Sequence, residues 1–191
     1  MSSLDDLLAD LTSGADDRAE AAASTLAHAG ESIFPALEGL LESSNVDHRW
    51  WAVRTLAQMD SPRLDWLVRA LNDESAEVRE GAALALAAHP LEEAAPALVK
   101  ALNDEAGMVA SLAVNALTTI GKSAVPSLLE AYPDALPRAR IQMMRALAEI
   151  GDHRAIPIML KATEEDSALL NYWAKEGLER LGLNMVYIKP E

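Results

Sequence analysis

The chain has 191 residues, a net charge of −14 and no cysteine. Its length suffices for one domain with a substantial core, and its aromatic content of 4 % favours closely packed helices over a β-sandwich or barrel. The absence of cysteine excludes disulfides, thiolate metal ligands and a cysteine nucleophile. The acidic balance disfavours nucleic acid and anionic membranes as partners.

The N-terminal segment, residues 1–6, lacks the basic and apolar regions of a signal peptide. The longest uncharged stretch, residues 106–121, is too short to span a bilayer. We therefore expect a soluble cytoplasmic protein.

An internal repeat of 30 or 31 residues organises the chain. Stretches that open at Pro96, Pro126 and Pro157 read almost alike, and the same frame fits copies that open at Pro35 and Asp65. With a degenerate first copy, the repeats are residues 5–34, 35–64, 65–95, 96–125, 126–156 and 157–186, followed by a tail at 187–191. A leucine in each copy shows the same spacing: Leu26, Leu56, Leu86, Leu117, Leu147 and Leu178.

Each copy has the pattern of two helices joined by a short turn. Proline or aspartate opens the first helix, where a missing N–H costs little and a carboxylate meets the positive end of the helix dipole. Apolar residues recur at helical spacing in the second helix, as at Val78, Ala82 and Ala85. Glycines mark helix ends at Gly30, Gly121, Gly151 and Gly182. Because one pair cannot bury both its apolar faces, we predict an all-α solenoid of six stacked antiparallel helix pairs in a single domain, residues 1–191.

Two segments, residues 77–86 and 146–157, resemble HEAT-like repeats of the phycobilisome-lyase type, and the resemblance extends from Asp5 to about Val186. It implies a HEAT-like superhelix whose second helices line the concave side. It also implies a ladder between copies, made by an aspartate in the turn and an arginine early in the second helix. Both positions match at Asp73 with Arg79 and Asp134 with Arg140, whereas Arg49 and Asp104 match singly. We interpret these residues as structural supports.

The faces of the second helices opposite the core form two columns at the repeat spacing. The columns are Glu20, Trp50, Glu80, Ser111, Ile141 and Tyr172, and Ser24, Arg54, Leu84, Asn115, Arg145 and Glu176. Exposed apolar and aromatic side chains interleaved with arginine are typical of binding surfaces. The predicted groove comprises Trp50, Trp51, Arg54, Leu84, Leu112, Asn115, Ile141, Arg145, Tyr172 and Trp173. Two alternatives stay open: Trp51 and Trp173 as ordinary core, and Trp50 and Tyr172 as isolated exposed aromatics.

No catalytic residue, metal ligand or cofactor site is predicted. HEAT-like di-iron hydroxylases of the deoxyhypusine type use His-Glu pairs, and none occurs here. No histidine shares a helix face with another ligand at a metal-binding spacing. Lone serines lack a positioned histidine base.

The leading functional hypothesis is a non-enzymatic scaffold that binds a protein or peptide on the concave face. The negative charge serves solubility or, as the sharper hypothesis, complements a basic partner. The alternative is a phycobilin lyase-like or chromophore-handling protein, which the resemblance implies. A metal-dependent hydroxylase is the third hypothesis. In the tail, Met185, Val186, Tyr187 and Ile188 are expected to cap the last helix pair, or else to dock a partner or a second copy of the chain.

Overall fold

The computed structural model describes residues 3–183, and that part of the chain contains α-helices and short 3-10 helices without any β-strand. The first helices of the pairs are α1 (Leu4–Leu11), α3 (Phe34–Leu41), α5 (Leu64–Ala70), α7 (Ala95–Ala101), α9 (Val125–Ala131) and α11 (Ile156–Ala162). The second helices are α2 (Asp16–Ala27), α4 (Val46–Gln58), α6 (Ala76–Ala88), α8 (Gly107–Ile120), α10 (Pro137–Ile150) and α12 (Ala168–Arg180).

The chain divides into two compact units, and each contains three helix pairs. The N-terminal unit, residues 1–89, holds α1 to α6, and its second helices α2, α4 and α6 pack side by side in that order. The C-terminal unit, residues 90–191, holds α7 to α12, and α8, α10 and α12 pack in the same way. The predicted all-α solenoid of six helix pairs is confirmed.

The repeat spacing read from the sequence matches the helices closely. Every first helix begins one residue before the predicted opening residue, for example at Phe34 ahead of Pro35 and at Ala95 ahead of Pro96. The six leucines that mark the second helices are all completely buried. Equivalent positions therefore occupy equivalent places in the core, as a stacked repeat requires.

The predicted glycines at helix ends all adopt positive φ angles. Gly151 is the clearest case, with φ 64° and ψ 48°, and its N–H donates to the carbonyl oxygen of Leu147 at 3.1 Å. A side chain with a Cβ would be strained in this left-handed conformation, so glycine ends α10 where the next helix pair must begin.

One rung of the predicted ladder joins the second and third copies. Arg49 donates from Nε and Nη2 to the two carboxylate oxygens of Asp73, at 2.8 and 2.9 Å, and also binds the carboxylate of Glu74 at 3.0 Å. Burial raises the pKa of Asp73, but hydrogen bonds from Arg49 and from the backbone N–H of Ser75 outweigh burial and lower the pKa below its ordinary value. The rung pairs the arginine of one copy with the aspartate of the next copy. Arg49 therefore has a partner in Asp73, although its own copy has Ser43 in place of the aspartate.

Residues 107–134 are apolar enough, by length and composition alone, to suggest a membrane span. In the structure this stretch is not one continuous helix. It comprises α8, a 3-10 turn at Gly121–Ala124, α9 and a second 3-10 turn at Tyr132–Asp134. The helix α8, with 14 residues, is about 21 Å long. Because Val109, Ala113 and Leu117 are buried in the core of the C-terminal unit, the apolar character belongs to packing between helices.

The tail residues expected to cap the last helix pair, from Met185 to Ile188, lie outside the described residues.

Candidate binding surfaces

Residues one turn apart near the start of each second helix share one face, because side chains at i and i+3 are neighbours on a helix. In the N-terminal unit this face carries Asp17, Glu20, Asp47, Trp50, Glu77 and Glu80, and we call it the N-terminal face. In the C-terminal unit the same repeat positions carry Met108, Ser111, Arg138, Ile141, Leu169 and Tyr172, which we call the C-terminal face. The same repeat positions are thus mostly acidic in the N-terminal unit, whereas in the C-terminal unit they carry mainly apolar side chains and one arginine.

Two adjacent tryptophans of α4 lie at the centre of the N-terminal face. The ring of Trp50 meets that of Trp51 edge-on, with centroids 4.6 Å apart and an interplanar angle of 89°. Trp51 is buried and belongs to the core, whereas Trp50 is half-buried and faces outward beside Gly81 of α6. The buried tryptophan therefore fixes the orientation of the outward one.

Arg54 is neutralised by an ion pair within the N-terminal unit. It donates from Nη2 and Nε to the two carboxylate oxygens of Glu20, at 2.7 and 3.1 Å, so α4 is tied to α2. The hydrogen bonds from Arg54 lower the pKa of Glu20 below its ordinary value. Because its guanidinium is already paired, Arg54 is poorly placed to receive an anionic ligand.

A cavity of about 680 Å³ opens at the N-terminal face, and all its lining residues belong to the N-terminal unit. Both tryptophans of α4 contribute to its wall, together with His48. The wall also carries five carboxylates: Asp16, Asp17, Glu20, Asp47 and Glu77. We call this cavity, with its two indoles and five carboxylates, the acidic pocket.

The negative charge of the chain is concentrated in the N-terminal unit. Residues 1–89 contain sixteen acidic and six basic side chains, whereas residues 90–191 contain fourteen acidic and ten basic ones. The acidic pocket therefore lies in the more negative part of the molecule, and its field attracts cations and repels anions.

The C-terminal face is apolar and carries a cation. Met108, Leu169 and Tyr172 are exposed over more than half of their surface. Arg138 stands between Met108 and Leu169 in the repeat register, and it is exposed while one guanidinium nitrogen donates to the backbone oxygen of Asn103. Exposed apolar side chains around an arginine suit a ligand that is largely apolar and carries a negative group.

A second aromatic pair stands at the end of this face. The rings of Tyr172 and Trp173 meet edge-on at 5.1 Å, and the guanidinium of Arg145 lies 5.6 Å from the centre of the Trp173 ring. Arg145 also donates from Nε to Glu149 at 2.9 Å. The predicted residues Arg145, Tyr172 and Trp173 thus form one cluster.

The predicted groove residues are exposed to very different degrees. Leu84, Asn115 and Tyr172 are exposed, and Leu112 and Trp173 are half-buried. The expectation that Trp50 and Ile141 are exposed needs correction, since both are half-buried. Side chains of this size are partly covered when the second helices pack side by side. The position of a residue in the repeat therefore predicts the direction of its side chain but overestimates its exposure to solvent.

Sequence reasoning missed two components of these surfaces. The carboxylates Asp17, Asp47 and Glu77 recur at intervals of 30 residues. This regular spacing indicates a shared surface, but it is overlooked when the negative charge is explained by solubility alone. The exposed Met108 and Leu169 occupy the same repeat position in the C-terminal unit, one turn before the columns that we considered.

No group of three or more histidine, aspartate or glutamate side chains in residues 3–183 is placed to hold a metal ion. The hydroxylase hypothesis therefore has no candidate ligand set in that part of the chain.

Comparison with known proteins finds one matching family and several similar proteins. The family described as HEAT repeats matches residues 4–87, 35–118 and 95–179. The chain is 32 % identical to an uncharacterized phycocyanin operon protein Z of Pseudanabaena tenuis, over 71 % of this chain and 72 % of that protein. It is 36 % identical to a phycocyanobilin lyase subunit beta of the same organism, over 56 % of this chain but only 38 % of the lyase subunit.

A solved structure shares the fold. The complex of CpcE and CpcF of phycocyanin lyase from Nostoc sp. PCC7120 superposes with a TM-score of 0.55 at 21 % identity, over 95 % of this chain and 78 % of that one. This likeness concerns the fold alone, whereas the family match extends over most of the sequence. The chain belongs to the HEAT-repeat proteins and, among them, to those with HEAT-like repeats of the phycobilisome-lyase type.

Proposed function

We propose that this chain is a lyase-like, chromophore-handling protein that binds an open-chain tetrapyrrole, a bilin, during the maturation of phycobiliproteins. The observation that carries the proposal is its similarity to a phycocyanobilin lyase subunit and to a phycocyanin operon protein. These relatives favour chromophore handling over a scaffold without a small-molecule ligand. We expect the chain to act in the cytoplasm.

The C-terminal face supports the proposal because it matches the chemistry of a bilin. A bilin presents flat conjugated pyrroles, which pack on apolar and aromatic side chains such as Leu169 and Tyr172. Its two propionates need cations, and Arg138 stands within the same face. The acidic pocket, in contrast, repels propionates, so we assign the bilin to the C-terminal face.

In this proposal the residues of the chain bind and orient the chromophore. Met108, Leu169 and Tyr172 remove part of its surface from water, while Arg138 fixes one propionate by a charge-assisted hydrogen bond. The cluster of Arg145, Tyr172 and Trp173 provides a firm edge against which the pyrroles pack, because these side chains already contact one another.

The test is an absorbance titration of the purified chain with phycocyanobilin. Binding changes the conformation and surroundings of the chromophore, so we expect a saturable shift of its visible spectrum together with quenching of tryptophan fluorescence. A spectrum that stays unchanged at micromolar protein and bilin concentrations would refute the proposal.

A matched pair of leucine variants locates the site. Leu169→Asp places a charge on the C-terminal face, whereas Leu84→Asp does the same on the N-terminal unit at a position of similar exposure, 54 % against 60 %. We expect Leu169→Asp to weaken bilin binding about tenfold, through lost apolar contact and repulsion of the propionates. Leu84→Asp should bind as the unaltered chain does. Equal effects of the two variants would contradict the assignment to the C-terminal face.

We also propose that the chain binds a protein partner while it handles the chromophore. Protein binding, which the scaffold hypothesis predicts, is thus part of the same function. The phycocyanin lyase from Nostoc is a complex of two proteins, CpcE and CpcF. The similarity to the phycocyanobilin lyase subunit covers 38 % of that subunit. Co-purification with a phycobiliprotein subunit, with bilin present and absent, tests the partner.

A further inference from the structure

The acidic pocket is a second surface that the bilin proposal does not use. Its volume, about 680 Å³, lies within the range of 300 to 1,000 Å³ that is typical of ligand sites. It lies wholly within the N-terminal unit, and its chemistry is the reverse of that of the C-terminal face.

The wall of the pocket carries negative charge that the protein itself does not neutralise. Of the five carboxylates, Glu20 has a cationic partner, Arg54. Within residues 3–183 no arginine, lysine or histidine forms an ion pair with Asp16, Asp17 or Asp47. Like charges gathered around one cavity repel each other, and a bound cation removes that repulsion.

The aromatic part of the wall adds a second attraction for cations. Trp50 is half-buried and is held edge-on against the buried Trp51, so the indole is positioned before any ligand arrives. An arginine or lysine head group within about 6 Å of an indole face is attracted by the ring quadrupole. An indole flanked by carboxylates therefore selects an organic cation over a simple apolar ligand.

The repeat spacing indicates an extended ligand with several charges. Asp17, Asp47 and Glu77 come from the first turns of α2, α4 and α6, three helices that pack side by side. Neighbouring packed helices lie about 8 to 10 Å apart, and an extended peptide spans about 7 Å over two residues and about 10 Å over three. One chain segment with a basic residue at every second or third position can meet all three carboxylates.

We propose that the acidic pocket is a docking site for a basic segment of a protein partner, whose arginine or lysine side chains lie between the indole of Trp50 and the carboxylates. The site is independent of the bilin site, because it lies on the other unit and selects ligands of the opposite charge. Nucleic acid and anionic lipid are excluded by the negative wall.

Isothermal titration with a tetra-arginine peptide tests the proposal on the full chain, with tetra-glutamate as the negative control. We expect saturable binding that weakens at least tenfold between about 50 and 300 mM salt, since salt screens the charges. Absence of saturable binding of tetra-arginine at low salt would overturn the proposal.

Charge-matched double variants separate the pocket from the general negative charge of the chain. Asp47→Lys with Glu77→Lys changes the pocket, and Glu130→Lys with Glu179→Lys gives the same change of net charge at exposed positions of the C-terminal unit. All four side chains are exposed, so both variants should stay folded, with a cost of about 0.3 to 1 kcal/mol for each lysine placed in the first turn of α4 or α6. Circular dichroism of both variants checks that they remain helical. We expect at least a tenfold loss of peptide affinity for the pocket variant and less than a threefold loss for the control. Equal losses would show non-specific attraction and would overturn the site.

The aromatic contribution is measured by Trp50→Ala. A cation–π contact predicts a loss of affinity of about fivefold that persists at high salt, unlike the effect of the carboxylates. The same variant and the Asp47→Lys with Glu77→Lys variant should retain the bilin titration. Loss of bilin binding without loss of peptide binding would place the chromophore on the N-terminal face and would overturn our assignment of both surfaces.

Discussion

Gly177 allows the packing of the C-terminal unit to be tested with a single methyl group. It lies in α12 and is buried against α10 and α11. A Cβ at this position would stand 2.7 Å from Cε and 2.9 Å from Sδ of Met159, and 3.0 Å from Cα of Ala148. The methionine tip is the end of a flexible side chain and can shift, but the backbone of α10 moves only if the helices separate.

Two opposing contributions decide the effect of Gly177→Ala. Alanine is favoured over glycine inside a helix by about 1 kcal/mol. Overpacking a filled core costs about 1 to 3 kcal/mol, and the contact with Ala148 places this site in the upper part of that range. We therefore expect a net destabilisation of about 1 to 2 kcal/mol. Gly39 in α3 is the control, because a Cβ there meets no atom within 4 Å, and Gly39→Ala should stabilise the chain by about 0.5 to 1 kcal/mol.

The free energy of unfolding is measured by urea denaturation followed by helical circular dichroism. The double variant Gly177→Ala with Met159→Leu removes the thioether tip and should recover part of the loss, as a positive coupling in a double-mutant cycle. If Gly177→Ala stabilises the chain as Gly39→Ala does, then α12 does not pack against α10 as closely as described, and the reasoning is refuted.

Three further variants or conditions test the supports of the fold. Asp73→Asn weakens two hydrogen bonds from the buried Arg49 and should cost about 2 kcal/mol of unfolding free energy, whereas Asp65→Asn breaks an exposed pair of similar geometry and should cost less than about 1 kcal/mol. Tyr132→Phe should leave stability unchanged or raise it by up to about 1 kcal/mol in urea denaturation, because the buried hydroxyl has no hydrogen-bond partner among residues 3–183 and burial raises its pKa to about 12. Hydrogen bonds from the Arg154 side chain lower the pKa of Asp152 to about 2 from its ordinary 3.8. The stabilising contribution of the Asp152 carboxylate should therefore be complete above pH 4 and lost between pH 4 and 2, as an acid titration of helicity would show. The variant Asp152→Asn should flatten that pH dependence.

The architecture was predictable because each helix pair solves the same packing problem with the same residues. Proline at the first turn determines where α3, α7, α9 and α11 begin, since its φ angle suits a helix and its missing N–H is not needed there. The leucine near the end of each second helix is always buried, so its spacing reports the stacking directly. Even the degenerate first copy follows this frame, with Ser3 capping α1.

The candidate sites were only partly predictable, because the sequence gives the direction of a side chain but not its partners. Arg54 was a reasonable groove cation by register, yet it pairs with Glu20, which lies 34 residues away on the neighbouring helix. Arg145 pairs with Glu149 at i+4, a contact that helical spacing does reveal. The acidic pocket depends on how α2, α4 and α6 stack, and the spacing of Asp17, Asp47 and Glu77 acquires meaning only with that stacking.

The two faces show why a repeat protein can change its ligands without changing its fold. Core positions such as Leu56 and Leu86 must stay alike, because within a unit each copy packs on the next. The second residue of each of the second helices is exposed, so Glu77 in one copy and Met108 in another are equally compatible with stacking. Substitutions at exposed positions usually change stability by less than about 0.5 kcal/mol. Peptide binding at the acidic pocket and bilin binding at the C-terminal face should therefore be separable by mutation in a chain that remains folded, and this independence allows either assignment to fail without the other.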